Sequence, residues 1–382
     1  MNLWRAIFPA DGFIHWRRLI VINAGIVLGY AISKSIRDVP DVEYVHLLVN
    51  YHFGFTKRAL IGAAVSLFTD RVSPWMVYVL GGAMLLMTIG LYLRLFDKTF
   101  GFSRATAPLL CFIIGSPFFF KNFVKTIGYF DIYGCTFAIV LLLLPARSFV
   151  YVVIAAAGSI VLLLIHHIHM LLYVPTIGAI VLIRYYLAGR RSRIDMLLTA
   201  AMAVVVAGIF LVIMGYGNTG VSSEEFATYL KERIGAGGNP DKALEFAFIW
   251  HRTLTDELRD TWAAMAMNLS RVWVYPLLIA LHAPLLRYYR CSIGAISSPA
   301  HRRAVMATLA GITLGYVVIG LVVFDYGRWV SSWAVCMILM LHAIKRLPAD
   351  TQVPPIALDD RLALGCAMLL TVIPRVGIIR PF

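Results

Sequence analysis

Charge is what this sequence has least of. Only 14% of its 382 residues are Asp, Glu, Lys or Arg, where a soluble domain carries about 25%. Most of its long apolar runs have no alternating polar face, which excludes a large water-soluble core built from surface helices. Cysteine is also sparse. Cys111, Cys135, Cys291, Cys336 and Cys366 lie far apart, in no metal or redox spacing, and read as packing residues. There is no P-loop and no dinucleotide fingerprint, so a nucleotide-binding fold is not expected. No internal repeat, low-complexity tract or dividing linker occurs, so residues 1–382 read as one integral membrane domain.

What the chain has in abundance is apolar sequence: 60% of residues are hydrophobic, and the mean hydropathy is +0.80. A membrane-crossing helix needs about 20 such residues. The pattern predicts an all-α polytopic membrane protein of about eleven transmembrane helices. They fall near 19–33, 74–94, 105–119, 132–146, 148–165, 170–186, 196–215, 271–287, 304–324, 330–345 and 362–376. Arg17-Arg18 precedes the first run, and Ala31-Ile32-Ser33 faintly resembles a cleavage site; we read this run as an uncleaved span.

The net charge of +14 raises the question of nucleic acid. With the N-terminus inside, the inner segments hold 18 Lys and Arg against 6 acids, and the outer segments 16 against 14. Most of the outer bases sit in two long loops, where the positive-inside rule has little force. The basicity is then an orientation signal, the basic clusters match no recognition pattern, and no nucleic-acid partner is expected.

Two outer segments are long enough to be structured, about 34–73 and 216–270. In the first, residues 59–68 are apolar but too short to span, and read as an interfacial or re-entrant helix. In the second, Ser222-x-x-Glu225 is a capping-box pattern and Asn239-Pro240 reads as a helix start. Surface helices are expected in both.

Polar clusters interrupt the apolar pattern on this same side. Asp38, Asp41 and Glu43 follow the first span, and any of them is a candidate general base; acids so grouped are also candidate oxygen ligands for a divalent cation. Lys57 and Arg58 precede the short apolar helix and suit a lipid phosphate. Lys121 and Lys125, four apart, would share a helical face. Asp131 opens the next span as a cap or a site acid. His166, His167 and His169 follow an apolar run. On a helix His166 and His169 would share a face, and without a nearby Cys or acid they suit a polar substrate contact better than a metal. Last comes Asp325-Tyr326-Gly327-Arg328-Trp329, between the runs 304–324 and 330–344. An acid and an arginine at the end of a span are costly unless they have a partner or a task. We read a tight Gly-containing turn there, with Arg328 toward a phosphate, Asp325 orienting it, and Trp329 against a sugar face.

The Asp-x-Gly-Arg-Trp island resembles a feature of multi-spanning bacterial polysaccharide proteins, the O-antigen polymerase-like and serotype-converting glucosyl transferase-like families. An acidic first outer loop followed by a surface helix is similar to the GT-C class of glycosyltransferases. In this sequence the acids are spaced Asp-x-x-Asp-x-Glu rather than as an adjacent pair, and there is no sizeable C-terminal periplasmic domain. The resemblance implies a polyprenyl-(pyro)phosphate-linked sugar donor, a glycan or lipid-linked glycan acceptor, membrane lipids as surroundings, and a bacterial inner membrane location with chemistry at the periplasmic or exterior face; no cofactor is expected beyond a divalent cation on the acids of the first outer loop. It implies a base among Asp38, Asp41 and Glu43, and phosphate binding by Lys57, Arg58 and Arg328. Two other classes compete. A flippase or transporter of lipid-linked glycans would show broken helices, and a glycan O-acyltransferase would use one of His166, His167 or His169 as its base.

Overall fold

The computed structural model describes residues 16–35, 41–189, 192–251, 254–268, 273–322, 325–347 and 360–373. Among these the chain is helical, apart from turns and one isolated parallel bridge, Val72 to Ile234. Six helical stretches are long and apolar enough to cross a membrane: Trp75–Phe100, Ala107–Lys125, His169–Leu187, Arg193–Tyr216, Pro299–Val322 and Tyr326–Lys345, the second and third being built of shorter pieces. Four shorter apolar helices accompany them, at Arg18–Tyr30, Asp131–Leu143, Val150–Ile165 and Arg361–Val372. Their surface carries side chains such as Leu197, Val204, Leu211 and Leu314, each more than half exposed. So much exposed apolar surface suits lipid, not water.

Several expected spans are interrupted, each for a local reason. The run 105–119 becomes Ala107–Gly115, a break, and then Phe120–Lys125. Pro117 follows Ser116, which it drives into an extended conformation (ψ 137°). The run 271–287 is not one helix. It divides at His282 into Val274–Leu281 and Ala283–Gly294, with a proline in the first turn of the second. His166 ends Val150–Ile165 in an extended conformation, and its Nδ1 accepts the Ile168 backbone N–H at 3.2 Å. His166 and His169 therefore do not share a helix face, contrary to what their spacing of three predicts.

Asp131–Leu143 lies near the middle of the bundle, packed against Trp75–Phe100 and Tyr326–Lys345. It runs in the same direction as Tyr326–Lys345. Arg328 meets Asp131 at one end, and Arg346 donates to the Leu142 carbonyl at the other.

The two polar loops fold together over the Asp131 end, which we call the capped end. They contribute Asp41–Leu48, Leu60–Ser66, Ser223–Arg233, Pro240–Glu245 and a short 3-10 turn, Ala247–Trp250. Ser222 caps its helix by accepting the Glu225 N–H at 3.2 Å. The loops share a small core of their own around Tyr44, Leu48, Phe226 and Trp250. Arg233 fastens them: its Nε donates to the Leu48 carbonyl (2.7 Å) and its guanidinium to Ser66 (2.8 Å). Trp250 Nε1 donates to the Lys57 carbonyl (2.9 Å), and the Lys57 N–H to that of Gly217 (2.7 Å). Leu60–Ser66 is the short helix expected, followed by Leu67 and Phe68, which are almost fully exposed, as membrane-interface residues would be.

Candidate functional site

Under this cap lies a cluster built from five separate parts of the chain. At its centre is Arg328. Its Nη2 donates to Asp131 Oδ1 at 2.7 Å and its Nε to Asp131 Oδ2, a fork matched to one carboxylate. Its Nη1 donates to Asp325 Oδ2 at 3.0 Å. The guanidinium carbon sits 3.9 Å from the Tyr129 ring centroid and 4.6 Å from that of Trp329, so aromatic faces cover what the carboxylates leave. Arg328 and Asp131 are buried, and Asp325 keeps 17% of its side chain exposed. Burial raises the Asp325 carboxyl above the usual range while Arg328 opposes the rise. Burial pushes the Tyr129 phenol up to about 12, so it stays neutral and offers its ring face.

The local geometry corrects the expected Gly-containing turn. Helix Tyr326–Lys345 starts inside the island, with Asp325 at the N-cap and Arg328 already in the first turn. The three-residue spacing therefore lies on one helical face, which lets Arg328 reach Asp325 and Asp131 together. On the other side Gly128 holds φ +87°, the left-handed region that glycine tolerates, and a Cβ there would meet Val77 Cγ1 at 2.5 Å. This glycine turns the chain so that Tyr129 faces Arg328.

Beside the arginine is a row of histidines. His46, His166, His167 and His169 form a chain of rings: 6.2 Å between the centroids of His46 and His166, 5.2 Å from His166 to His167, and 6.4 Å from His166 to His169. His46 also packs on Phe130 (4.7 Å) and Trp250 (5.2 Å). One His46 nitrogen bonds the Val42 carbonyl and so carries a proton; the other, Nε2, is buried with no hydrogen-bond partner. His167 Nδ1 and one ring nitrogen of His169 are buried in the same condition, the other His169 nitrogen bonding the Phe130 carbonyl. Burial, and then the nearby Arg58 guanidinium, hold His46, His166 and His167 well below the ordinary histidine value. They are neutral at pH 7. Arg58 itself is buried and holds φ +62°, the only described non-glycine residue with positive φ. Backbone strain of this kind collects at functional sites.

The residues singled out in the sequence divide clearly. Glu43, Lys57, Arg58, Asp131, His166, His169, Asp325, Arg328 and Trp329 come to this one region, and Lys125 acts on Asp325 from nearby. Lys121 does not join them. Its ammonium donates to the carbonyls of Leu370 (3.2 Å), Thr371 (2.5 Å) and Ile373 (2.8 Å), closing the end of Asp360–Val372. Asp41 opens its helix half-buried, and Asp38 lies outside the described residues. His46, Tyr129 and Trp250 were not anticipated, because a lone histidine inside an apolar run ordinarily reads as core. Among the described residues no group of three or more His, Cys, Asp or Glu is arranged to hold a metal.

Next to Trp329 opens an apolar cavity of about 510 Å³, lined by residues including Phe118, Leu286, Tyr316, Tyr326, Trp329 and Trp333. It lies between Tyr326–Lys345, Pro299–Val322 and the broken pair Val274–Leu281 and Ala283–Gly294. A charged cluster and an oily cavity thus share one wall, Tyr326 to Trp329.

No known family, curated protein or solved structure matches this chain.

Proposed function

We propose that this protein is a membrane glycosyltransferase or polymerase of cell-envelope glycans that takes a sugar from a polyprenyl-(pyro)phosphate carrier. The observation that carries the reading is the shared wall: Arg328, with Arg58 and the histidines in the same cluster, stands on one side, and a cavity of the right character for a prenyl tail on the other. A lipid-linked donor needs both, and a sugar so carried is already activated. The reaction then needs a proton acceptor for the incoming hydroxyl and positive charge for the departing phosphate. Glu43 and Asp41 are the described acids for the first task, and Arg58, Lys57 and Arg328 supply the second. In this reading the chain has about eleven spans and sits in the bacterial inner membrane. The capped end faces the periplasm, which accords with the charge bias of the short connecting segments.

The breaks at Ser116-Pro117, His166 and His282 favour a second reading, a flippase for lipid-linked glycans. One pair of measurements separates them. Surface glycans from a deletion strain, complemented with wild type or Arg328→Lys, are analysed by mass spectrometry, and the purified protein is assayed in proteoliposomes. The transferase reading expects a missing side-chain sugar or collapsed chain length that Arg328→Lys fails to restore, and sugar transfer by the purified protein. Movement of the lipid-linked sugar across the bilayer without transfer would sink it.

A further inference from the structure

The histidine row is the part of the cluster whose hydrogen bonding is least complete. Asp131 and Asp325 are turned to Arg328. Three ring nitrogens, His46 Nε2, His167 Nδ1 and one of His169, are buried with no partner, while the other His169 nitrogen faces the Phe130 carbonyl. A buried polar group left unsatisfied is costly, so three in one place point to a ligand that completes them.

The surroundings decide which ligand. A metal ion is disfavoured, since no described group of His, Cys, Asp or Glu has metal-holding geometry. A role as proton acceptor from a hydroxyl is also disfavoured. The charge acting most strongly on His46, His166 and His167 is the Arg58 cation, with Lys57 adding to it at His167 and Arg328 at His46 and His166. A histidinium formed there would be repelled by all three. An arriving dianion reverses this. It offers acceptor oxygens to the unpartnered rings, and its charge offsets that of Arg58, so each ring can take a proton and become a donor. The remaining charges in view do not do this already: Glu43 acts on Tyr129, and Asp131 on His169 alone among the histidines. His251, across the cap, is itself held low by burial and Lys57.

We infer that His46, His166, His167 and His169, together with Arg58, form a binding site for a phosphate-type dianion, and that binding is accompanied by proton uptake onto the histidines. This rests on the proposed function only for the carrier of the phosphate. The chemistry is the same for a lipid headgroup and for free pyrophosphate.

The test is calorimetric titration of the purified full-length protein, in a phosphate-free detergent, with a polyprenyl monophosphate and separately with inorganic pyrophosphate. Working at about pH 7.5, above the second phosphate monoester pKa of about 6, in two buffers of different ionisation enthalpy gives the protons taken up onto the protein. Uptake of about one proton, with affinity falling up to tenfold per pH unit above neutrality, is the expected result. His46→Asn keeps a donor near the Val42 carbonyl and loses Nε2; with His166→Gln it should abolish most of the uptake and weaken binding about 10- to 100-fold. If His166→Gln fails to fold, the half-buried His167→Gln is measured in its place. Binding of the polyprenyl phosphate alone supports the site and ties it to a lipid headgroup. Binding of pyrophosphate as well supports it and shows that the phosphate suffices. Binding of neither, binding with no proton uptake, or uptake unchanged in the variants overturns it. No sugar or acceptor is present, so failure here leaves the transferase reading standing, and phosphate binding without sugar transfer in the other assay does the reverse.

Discussion

The two ends of helix Asp131–Leu143 handle arginine in opposite ways. At the far end Arg184 Nη1 donates to the carbonyls of Leu141 (3.1 Å), Leu142 and Leu144 (3.0 Å), and Arg346 Nη1 also donates to Leu142. These are the orphan carbonyls that every helix leaves at its C-terminus, and cations there also oppose the helix dipole. Backbone acceptors and arginine donors meet directly, which makes a structural clamp. At the capped end Arg328 is bound by side-chain carboxylates, and beside it buried histidine nitrogens remain unpartnered. Buried arginine alone therefore marks nothing. What sets the capped end apart is the buried polar groups beside its arginine that the fold leaves without partners.

The largest expected effect concerns sidedness, and is all or none. If the capped end faces outward, a cysteine placed at exposed Glu224 should react with an impermeant maleimide in intact cells, and one at Ser192 only after permeabilisation. The reverse pattern would put the cluster on the wrong side for a periplasmic reaction. Next in size is the central ion pair. Arg328→Ala strands Asp131 as a buried charge, which should cost about 3–5 kcal/mol in thermal or denaturant unfolding. Arg328→Leu combined with Asp131→Leu should recover much of that stability and none of the activity. Recovery of both would make the pair merely architectural.

Arg184→Ala should cost about 1–3 kcal/mol, the penalty for uncovered carbonyls, yet leave activity per folded molecule unchanged. A loss of turnover without a loss of stability would remove the distinction between the two ends. Gly128→Ala strains a φ of +87° and drives a Cβ into Val77, and should cost about 1–3 kcal/mol. It should also lower activity by displacing Tyr129 from Arg328.

The smallest effect is in pH. His46, His166 and His167 have folded values held below the ordinary one, so the unfolded chain binds more protons. Their contribution is fully present above about pH 6.5 and declines as pH falls below it, by up to about 1.4 kcal/mol per pH unit for each histidine. His46→Asn should flatten a stability profile taken between about pH 7 and 5; an unchanged slope would show that His46 is not held neutral.

Much of the architecture was legible because lipid imposes a simple rule: an apolar run of sufficient length becomes a helix. Nearly all the expected runs are helical, and Leu60–Ser66 and Ser223–Arg233 fall where their patterns put them. The interruptions were harder. Pro117 and Pro284 were visible as residues, yet the breaks beside them depend on what surrounds each helix. The pairing of Asp325 with Arg328 could be read from a spacing of three. The stronger partner, Asp131, lies 197 positions away, and no local pattern shows a contact at that distance.

Hydropathy and helical period act over a turn or a span, so the apolar surroundings, the helices and the residues worth watching could be read along the chain. Which of those residues meet depends on how distant segments pack. That packing sent Lys121 to the carbonyls of a distant helix end and brought His46, in an otherwise apolar stretch, to the row beyond Ile165. It also left buried histidine nitrogens without partners beside the Arg328 ion pair. The physical reason is that hydrogen-bond satisfaction belongs to groups in space: whether a buried polar atom is provided for depends on every segment packed around it.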